Sequence, residues 1–299
     1  MKKIIALLLP IIVLTACHRG KYNYDASGTF NATEITVSAE ATGRIMQLNI
    51  EEGSKVEAGY ESGYIDTTQL YLNRVQLQHN LHSAYSRKQD VPKQVAALQQ
   101  QIQTQKRELV RVERLIAANA ANQKQADDIN AGIAVLEKQL TAQLTSLKSG
   151  NIAIDSESEA IVNGISQIEY QIEKSKIISP INGTVLTKYA QAGEFAAVGK
   201  PLFKVADLDN MELRAYITSG QLSQIKLGQK VKVYADYEDK ESRPYDGVVS
   251  WVAEKAEFTP KTIQTRDERA NLVYAIKIAV KNDGMLKIGM YADVKFVEN

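Results

Sequence analysis

Two histidines, His79 and His82, stand three residues apart in a stretch of helical periodicity, a spacing that can turn two imidazoles toward one metal ion. No third histidine or carboxylate accompanies them, so the pair reads as solvated polar side chains. Asp127 and Asp128 could be taken for an acid–base dyad, but their place at the start of a helix makes them first-turn charges that complement the helix dipole. The chain contains no phosphate-binding glycine loop, nucleophile elbow or HExxH zinc motif. With a single cysteine it supports neither a disulfide framework nor a thiolate zinc cluster. The sequence therefore assigns no catalytic, cofactor-binding or metal-binding residue.

The chemistry of that one cysteine is of another kind. Met1-Lys2-Lys3 is a basic head, and Ile4–Ala16 is an apolar run of 13 residues. A membrane-spanning helix needs about 18 or more, whereas 13 suits the core of a signal peptide. The run ends Leu14-Thr15-Ala16-Cys17, which resembles the lipobox of bacterial lipoproteins. Residues 1–16 are thus expected to be removed, leaving Cys17 as the lipidated first residue outside the cytoplasm, held by its acyl chains. An ordinary signal cut near Ala16 is the alternative, and His18 needs no role.

The elements that would position any site follow from composition and pattern. The 36 Lys and Arg balance 35 Asp and Glu, which removes the electrostatic case for a nucleic-acid partner. Aromatic residues are only 7% of a chain that is 44% apolar, so narrow aliphatic seams are expected rather than one thick core. The 299 residues allow two or three modest domains.

Residues 43–66 and 183–206 form a repeat. Gly43, Gly53 and Gly59 match Gly183, Gly193 and Gly199 at a constant offset of 140, with Ile45 opposite Val185, Val56 opposite Ala196 and Ile65 opposite Val205. Each copy reads as short strands with glycines at the turns. Neither is large enough to bury a core alone, so the two should pack on one another. The pattern resembles the lipoyl/biotinyl domain. Carrier versions of that domain present a lysine between the halves; here Ile65-Asp66-Thr67-Thr68 stands in that place, which opposes a swinging-arm carrier. Ser62 stands opposite Leu202, where the lipoyl pattern has leucine.

Between the copies runs a heptad seam through Leu70, Arg74, Leu77, Leu81, Ala84, Lys88, Val91, Val95, Leu98, Ile102, Gln105, Leu109, Val112 and Ile116. A second seam runs from Ile129 through Ile133, Leu136, Leu140, Leu144, Leu147, Asn151, Ile154, Ser158, Ile161, Ile165 and Ile168 to Ile172. Pro92 interrupts the first, and because the register continues a kink or one loose turn is expected there. Asn119 suits a left-handed helix end and Asn122 a helix N-cap, giving an antiparallel α-hairpin with arms of roughly 70 Å. From Met211 onward, short alternating runs separated by turns predict a small antiparallel β-barrel.

The expected fold is an elongated α+β protein with an antiparallel coiled-coil α-hairpin inserted between the halves of a lipoyl-like domain. The segments are 17–36 (linker and a barrel strand), 37–68 (first half), 69–175 (hairpin, tip near 117–122), 176–207 (second half) and 208–299 (barrel). This nesting behind a lipobox resembles the periplasmic adaptor, or membrane fusion protein, family of HlyD-type secretion proteins. The stretch Ala256–Thr262 to Asn271–Tyr274 resembles adaptors of ABC-type exporters in particular. The resemblance implies a hexameric, inner-membrane-anchored periplasmic link between an ABC-type transporter and a TolC-like outer-membrane channel. It also implies that the hairpin tip meets the channel through an Arg, a Leu four residues on and a Ser seven after that. Arg111 and Leu115 fill the first two places and Asn122 stands in the third. A purely structural envelope coiled-coil lipoprotein is the alternative function.

Overall fold

The computed structural model describes residues 24–238, 241–258 and 272–297, so Cys17 and the signal segment lie outside the described residues. The first copy of the repeat forms the strands β2 (Gly43–Leu48), β3 (Lys55–Val56) and β4 (Glu61–Ile65), preceded by β1 (Ala26–Ser38). Three helices follow: α1 (Thr68–Ser86), α2 (Val91–Ala117) and α3 (Gln123–Lys174). The second copy then forms β5 (Lys176–Ile178), β6 (Gly183–Lys188), β7 (Phe195–Ala196) and the start of β8 (Pro201–Thr218). The offset of 140 seen in the sequence carries β2 onto β6 and β3 onto β7 without slip.

Pairing crosses between the copies. β2 pairs with β7 through Gly43 and Ala196, and β6 pairs with β3 through Gly183 and Val56, the same two positions with their roles exchanged. Each copy thereby completes the other's sheet, and the shared core holds Ile45, Val56, Ile65, Val185, Leu202, Phe203 and Val205. The glycines divide into two kinds. Gly53, Gly59, Gly193 and Gly199 all have φ between 83° and 95°, which a residue with a Cβ adopts only under strain. Gly43 and Gly183 begin strands where an added Cβ would lie 2.8 Å from Ile65 Cγ2 and 2.4 Å from the Ala206 carbonyl oxygen.

β1 and β8 belong to two bodies at once. Thr33–Ser38 pairs with Asp207–Pro201 in the sandwich and Ser27–Asn31 with Tyr216–Glu212 in the barrel, with a register shift between Asn31 and Thr33. The barrel adds β9 (Lys230–Glu238), β10 (Glu241–Val252), β12 (Leu272–Lys281) and β13 (Tyr291–Phe296), with the short α4 (Ser219–Leu222) and β11 (Glu257–Phe258) at its edge. Six strands in the order β12-β10-β9-β13-β1-β8 close where β8 pairs with β12. Along β8, Met211, Leu213, Ala215 and Ile217 point inward at the period of two that a strand imposes, and join Phe30, Val233, Ile276, Ile278 and Val294.

The helices depart from expectation at one place. Instead of a kinked continuous arm, the chain leaves the helix after Ser86 and starts a new one at Val91. Asp90 caps the new helix, its Oδ1 accepting the Lys93 N–H at 3.3 Å, and Pro92 falls in the first turn, where a missing N–H costs no hydrogen bond. The seam survives because α3 runs unbroken for 52 residues, about 78 Å, and templates both arm segments. Lys88 pairs with Asp155 before α2 begins and Lys106 with Glu137 within it, so 18 residues forward on one arm match 18 back on the other. Every seam residue of α3 is at least half-buried, as are those of the other arm apart from Lys88 and Gln105.

Candidate functional site

The tip is built from two helix ends that satisfy each other's backbone. The Asn119 N–H donates to the Ile116 carbonyl at 2.9 Å and the Ala120 N–H to the Leu115 carbonyl at 2.8 Å, closing α2 with a Schellman turn. That turn needs positive φ, and Asn119 supplies it at 56°. Three residues later Asn122 opens α3, its Oδ1 accepting the Gln125 N–H at 3.1 Å. Both asparagines thus take the parts that the sequence suggests for them.

Arg111 and Leu115 lie one turn apart on α2, on the same face and about 6 Å apart along the axis. The Arg111 side chain is 72% exposed and Leu115 is 40% exposed. Among the described residues the Arg111 guanidinium pairs with Glu108, through an Nη2–Oε1 contact of 3.1 Å. An exposed pair of this kind contributes at most about 1 kcal/mol, so the guanidinium is readily released to a better partner. Val110, 45% exposed, adds an apolar surface beside it. Asn122 is exposed too, but its side-chain oxygen is committed to the cap. The structure therefore brings Arg111 and Leu115 together on one surface and gives Asn122 a structural part a few residues beyond.

At the other end of the hairpin, Lys174 forms an ion pair with Glu40 of the β1–β2 connection and lies 5.6 Å from the Tyr170 ring centre. Its hydrogen bond to Glu40, and then their mutual attraction, raise the ammonium pKa above its ordinary value. Asp66 starts α1 by accepting both the N–H (2.9 Å) and the hydroxyl (2.6 Å) of Thr68, and these bonds hold its carboxyl below the usual range. A groove of about 710 Å³ lies here between helix and sandwich, flanked by the exposed Phe195 and Val198. His79 and His82 are both exposed on α1, and no cluster of three or more metal-ligating side chains occurs among the described residues.

With that architecture in place, the relatives are informative. Residues 33–208, more than half of the chain, match the family model described as "RND MFP, barrel-sandwich hybrid domain". The chain belongs to this membrane fusion protein family. It is 27% identical to a UPF0194 membrane protein of Enterobacter sp. (strain 638), over 99% of this chain and 98% of that one. The UPF0194 membrane protein YbhG of Salmonella gallinarum is also 27% identical, over 90% of this chain and 87% of its own. Among solved structures, the fold is similar to MacA from Actinobacillus actinomycetemcomitans (TM-score 0.51, 21% identity, 90% of this chain and 76% of that one). It is likewise similar to the membrane fusion protein Spr0693 from Streptococcus pneumoniae R6 (TM-score 0.52, 17% identity, 91% and 98%).

For a membrane fusion protein, the split sandwich, the inserted hairpin and the six-stranded barrel are the family's fold. Among the described residues no helix is long and apolar enough to cross a membrane. Two features of this membrane fusion protein escaped the sequence reading. One is the helix break at 87–90 with its partners on α3, signalled by the Asp90-to-Pro92 spacing and by Asn151 at a seam position. The other is the Lys174–Glu40 pair, whose members are too far apart in sequence for any local pattern to join them.

Proposed function

We propose that this chain is the periplasmic adaptor subunit of a tripartite export system, linking an inner-membrane transporter to a TolC-like outer-membrane channel. The observation that carries the reading is the tip: Arg111 and Leu115 share an exposed face at the far end of a hairpin about 78 Å long. A coiled coil that served only as a strut has no need of an exposed arginine–leucine face at its end. The adaptor is anchored by lipid at Cys17 in the inner membrane and reaches across the periplasm.

An ABC-type transporter is the favoured inner-membrane partner, on the resemblance of the stretch from Ala256 to Tyr274, of which residues 259–271 lie outside the described residues. An RND-type transporter is the second reading, favoured by the name of the matching family model. Self-association as a hexamer is supported by the large apolar side chains that the sandwich leaves exposed, Phe195 at 66% and Val198 at 67%. Purification of the full-length chain from crosslinked cell envelopes tests the reading. An adaptor brings down a transporter and a channel together, identified by mass spectrometry; a structural lipoprotein brings down neither.

A further inference from the structure

The hairpin has one level at which both arms are weak. Arg87–Asp90 leave the helix on one side, and on the other Gly150 sits in the interior of α3, one residue before Asn151. A Cβ added at Gly150 would meet nothing within 4 Å, so packing does not call for glycine there. Its effect is to lower helix stability and free the backbone. Gly164 differs, since a Cβ there would come 3.4 Å from Leu77 Cδ1. Gly132 is as open as Gly150, but Val112 and Ile133 keep the seam buried near it.

Around Gly150 the seam itself turns polar. Lys88 is exposed at its seam position, and α3 presents Asn151 beside the glycine and Ser158 about two turns further on. Asn151 serves the broken backbone opposite: its Oδ1 accepts the Gln89 N–H and its Nδ2 donates to the Gln89 carbonyl, both at 2.8 Å. Ser158 is 1% exposed, yet its hydroxyl has no hydrogen-bond partner among the described residues. Two exposed ion pairs, Arg87–Glu157 at 2.6 Å and Lys88–Asp155 at 2.8 Å, span the same level. Such pairs are weak and are screened by salt.

We propose that this level is an articulation. The outer part of the hairpin, α2 with the facing part of α3, tilts on the inner part, with Gly150 as the pivot. The Gln89–Asn151 bonds and the two ion pairs are the latch that holds the straight form. The outer part spans about 40 Å, so a small tilt at the pivot moves the tip by many ångströms. The articulation is a property of the hairpin alone and does not depend on which partner the tip meets.

Hydrogen–deuterium exchange on the full-length protein tests it. Amides of 150–155 are expected to exchange about tenfold faster than those of 134–142, since local opening sets exchange. Asn151→Ala should speed exchange in both arms at this level, and so should raising the NaCl concentration. Gly150→Ala should slow it across both arms, whereas Gly132→Ala should slow only its own turn. Uniform protection along α3, no cross-arm response to Asn151→Ala, or equal and purely local slowing by the two alanine variants would overturn the proposal.

Discussion

The Ile45 amide donates to the Glu194 carbonyl at 2.8 Å, and 140 residues on the Val185 amide donates to the Ser54 carbonyl at 2.9 Å. The return bonds are exchanged in the same way, from Gly193 to Ile45 at 2.7 Å and from Gly53 to Val185 at 2.8 Å. The sandwich is therefore held by bonds between copies, and its closure does not depend on the chain that joins them. The entry to the hairpin is sealed within the same body, where the Ile65 N–H donates to the Ser175 carbonyl at 2.8 Å.

Removing the hairpin should accordingly leave a folded body. A chain lacking Leu70–Ile172, its ends joined by a short turn, is expected to keep its β-sheet circular dichroism and to melt cooperatively. An unfolded product would contradict the exchanged pairing. The same chain should lose any function that requires reach.

Ser62 offers a test of the core. It is 0% exposed and its hydroxyl has no partner among the described residues, while its counterpart Leu202 is equally buried and apolar. Ser62→Ala removes an unpaired buried hydroxyl and should stabilise the protein, by about 1 kcal/mol in chemical denaturation. A loss of stability would mean that the hydroxyl is paired in solution.

Acid should loosen the start of the hairpin. The Asp66 carboxyl is depressed from its ordinary value of 3.8 by its hydrogen bonds to Thr68. A group with a lowered folded pKa stabilises above its unfolded value and loses that contribution as pH falls through the folded one. The Asp66 contribution is thus complete at neutral pH and disappears below 3.8. Protection of the first-turn amides of α1, measured relative to their intrinsic exchange rates, should fall over that window, and Asp66→Asn should remove that change.

Much of this fold is local pattern, and local pattern is legible. Apart from Lys88 and Gln105 the heptad positions are covered, and two of the three glycines in each copy of the repeat have positive φ. The break at Arg87–Asp90 was not legible as a break, because Val91 and Val95 continue the seam that ends at Ala84. The register is imposed by α3, an influence that a periodicity scan along one arm does not register. Ser62 was visible as a departure from the lipoyl pattern, but its missing hydrogen bond exists only in three dimensions. The cap of α3 by Asn122 was readable; the Schellman bonds to Leu115 and Ile116 that orient the other side of the tip were not.

The anchor has its own test. If Cys17 carries acyl chains as proposed, Cys17→Ser removes their acceptor, and with it about 0.8 kcal/mol of membrane affinity for each buried CH₂. The variant should accumulate as unprocessed or soluble protein on fractionation. A Cys17→Ser chain that is processed and stays membrane-bound without partners would contradict lipid anchoring.

Substitutions at the tip should separate stability from docking. Arg111→Asp disturbs only an exposed pair, so folding stability should change by no more than about 0.5 kcal/mol. Leu115→Ser should cost more, since that side chain is 40% exposed and borders the seam. Asn122→Ser should be neutral because serine caps as well, whereas Asn122→Ala should cost about 1 kcal/mol. Thermal melts of the four variants give the order.

Photo-crosslinking in living cells can establish whether the tip, as proposed, is the surface that meets an outer-membrane channel. A photo-reactive residue in place of Leu115 should capture a TolC-like channel, and the same residue in place of Lys148, exposed in mid-arm, should not. Adding Arg111→Asp should remove the captured band by breaking a contact whose loss costs about 2–5 kcal/mol when buried, without lowering the amount of folded protein. Equal capture from both positions, or capture at Leu115 that is indifferent to Arg111→Asp, would contradict docking through the tip.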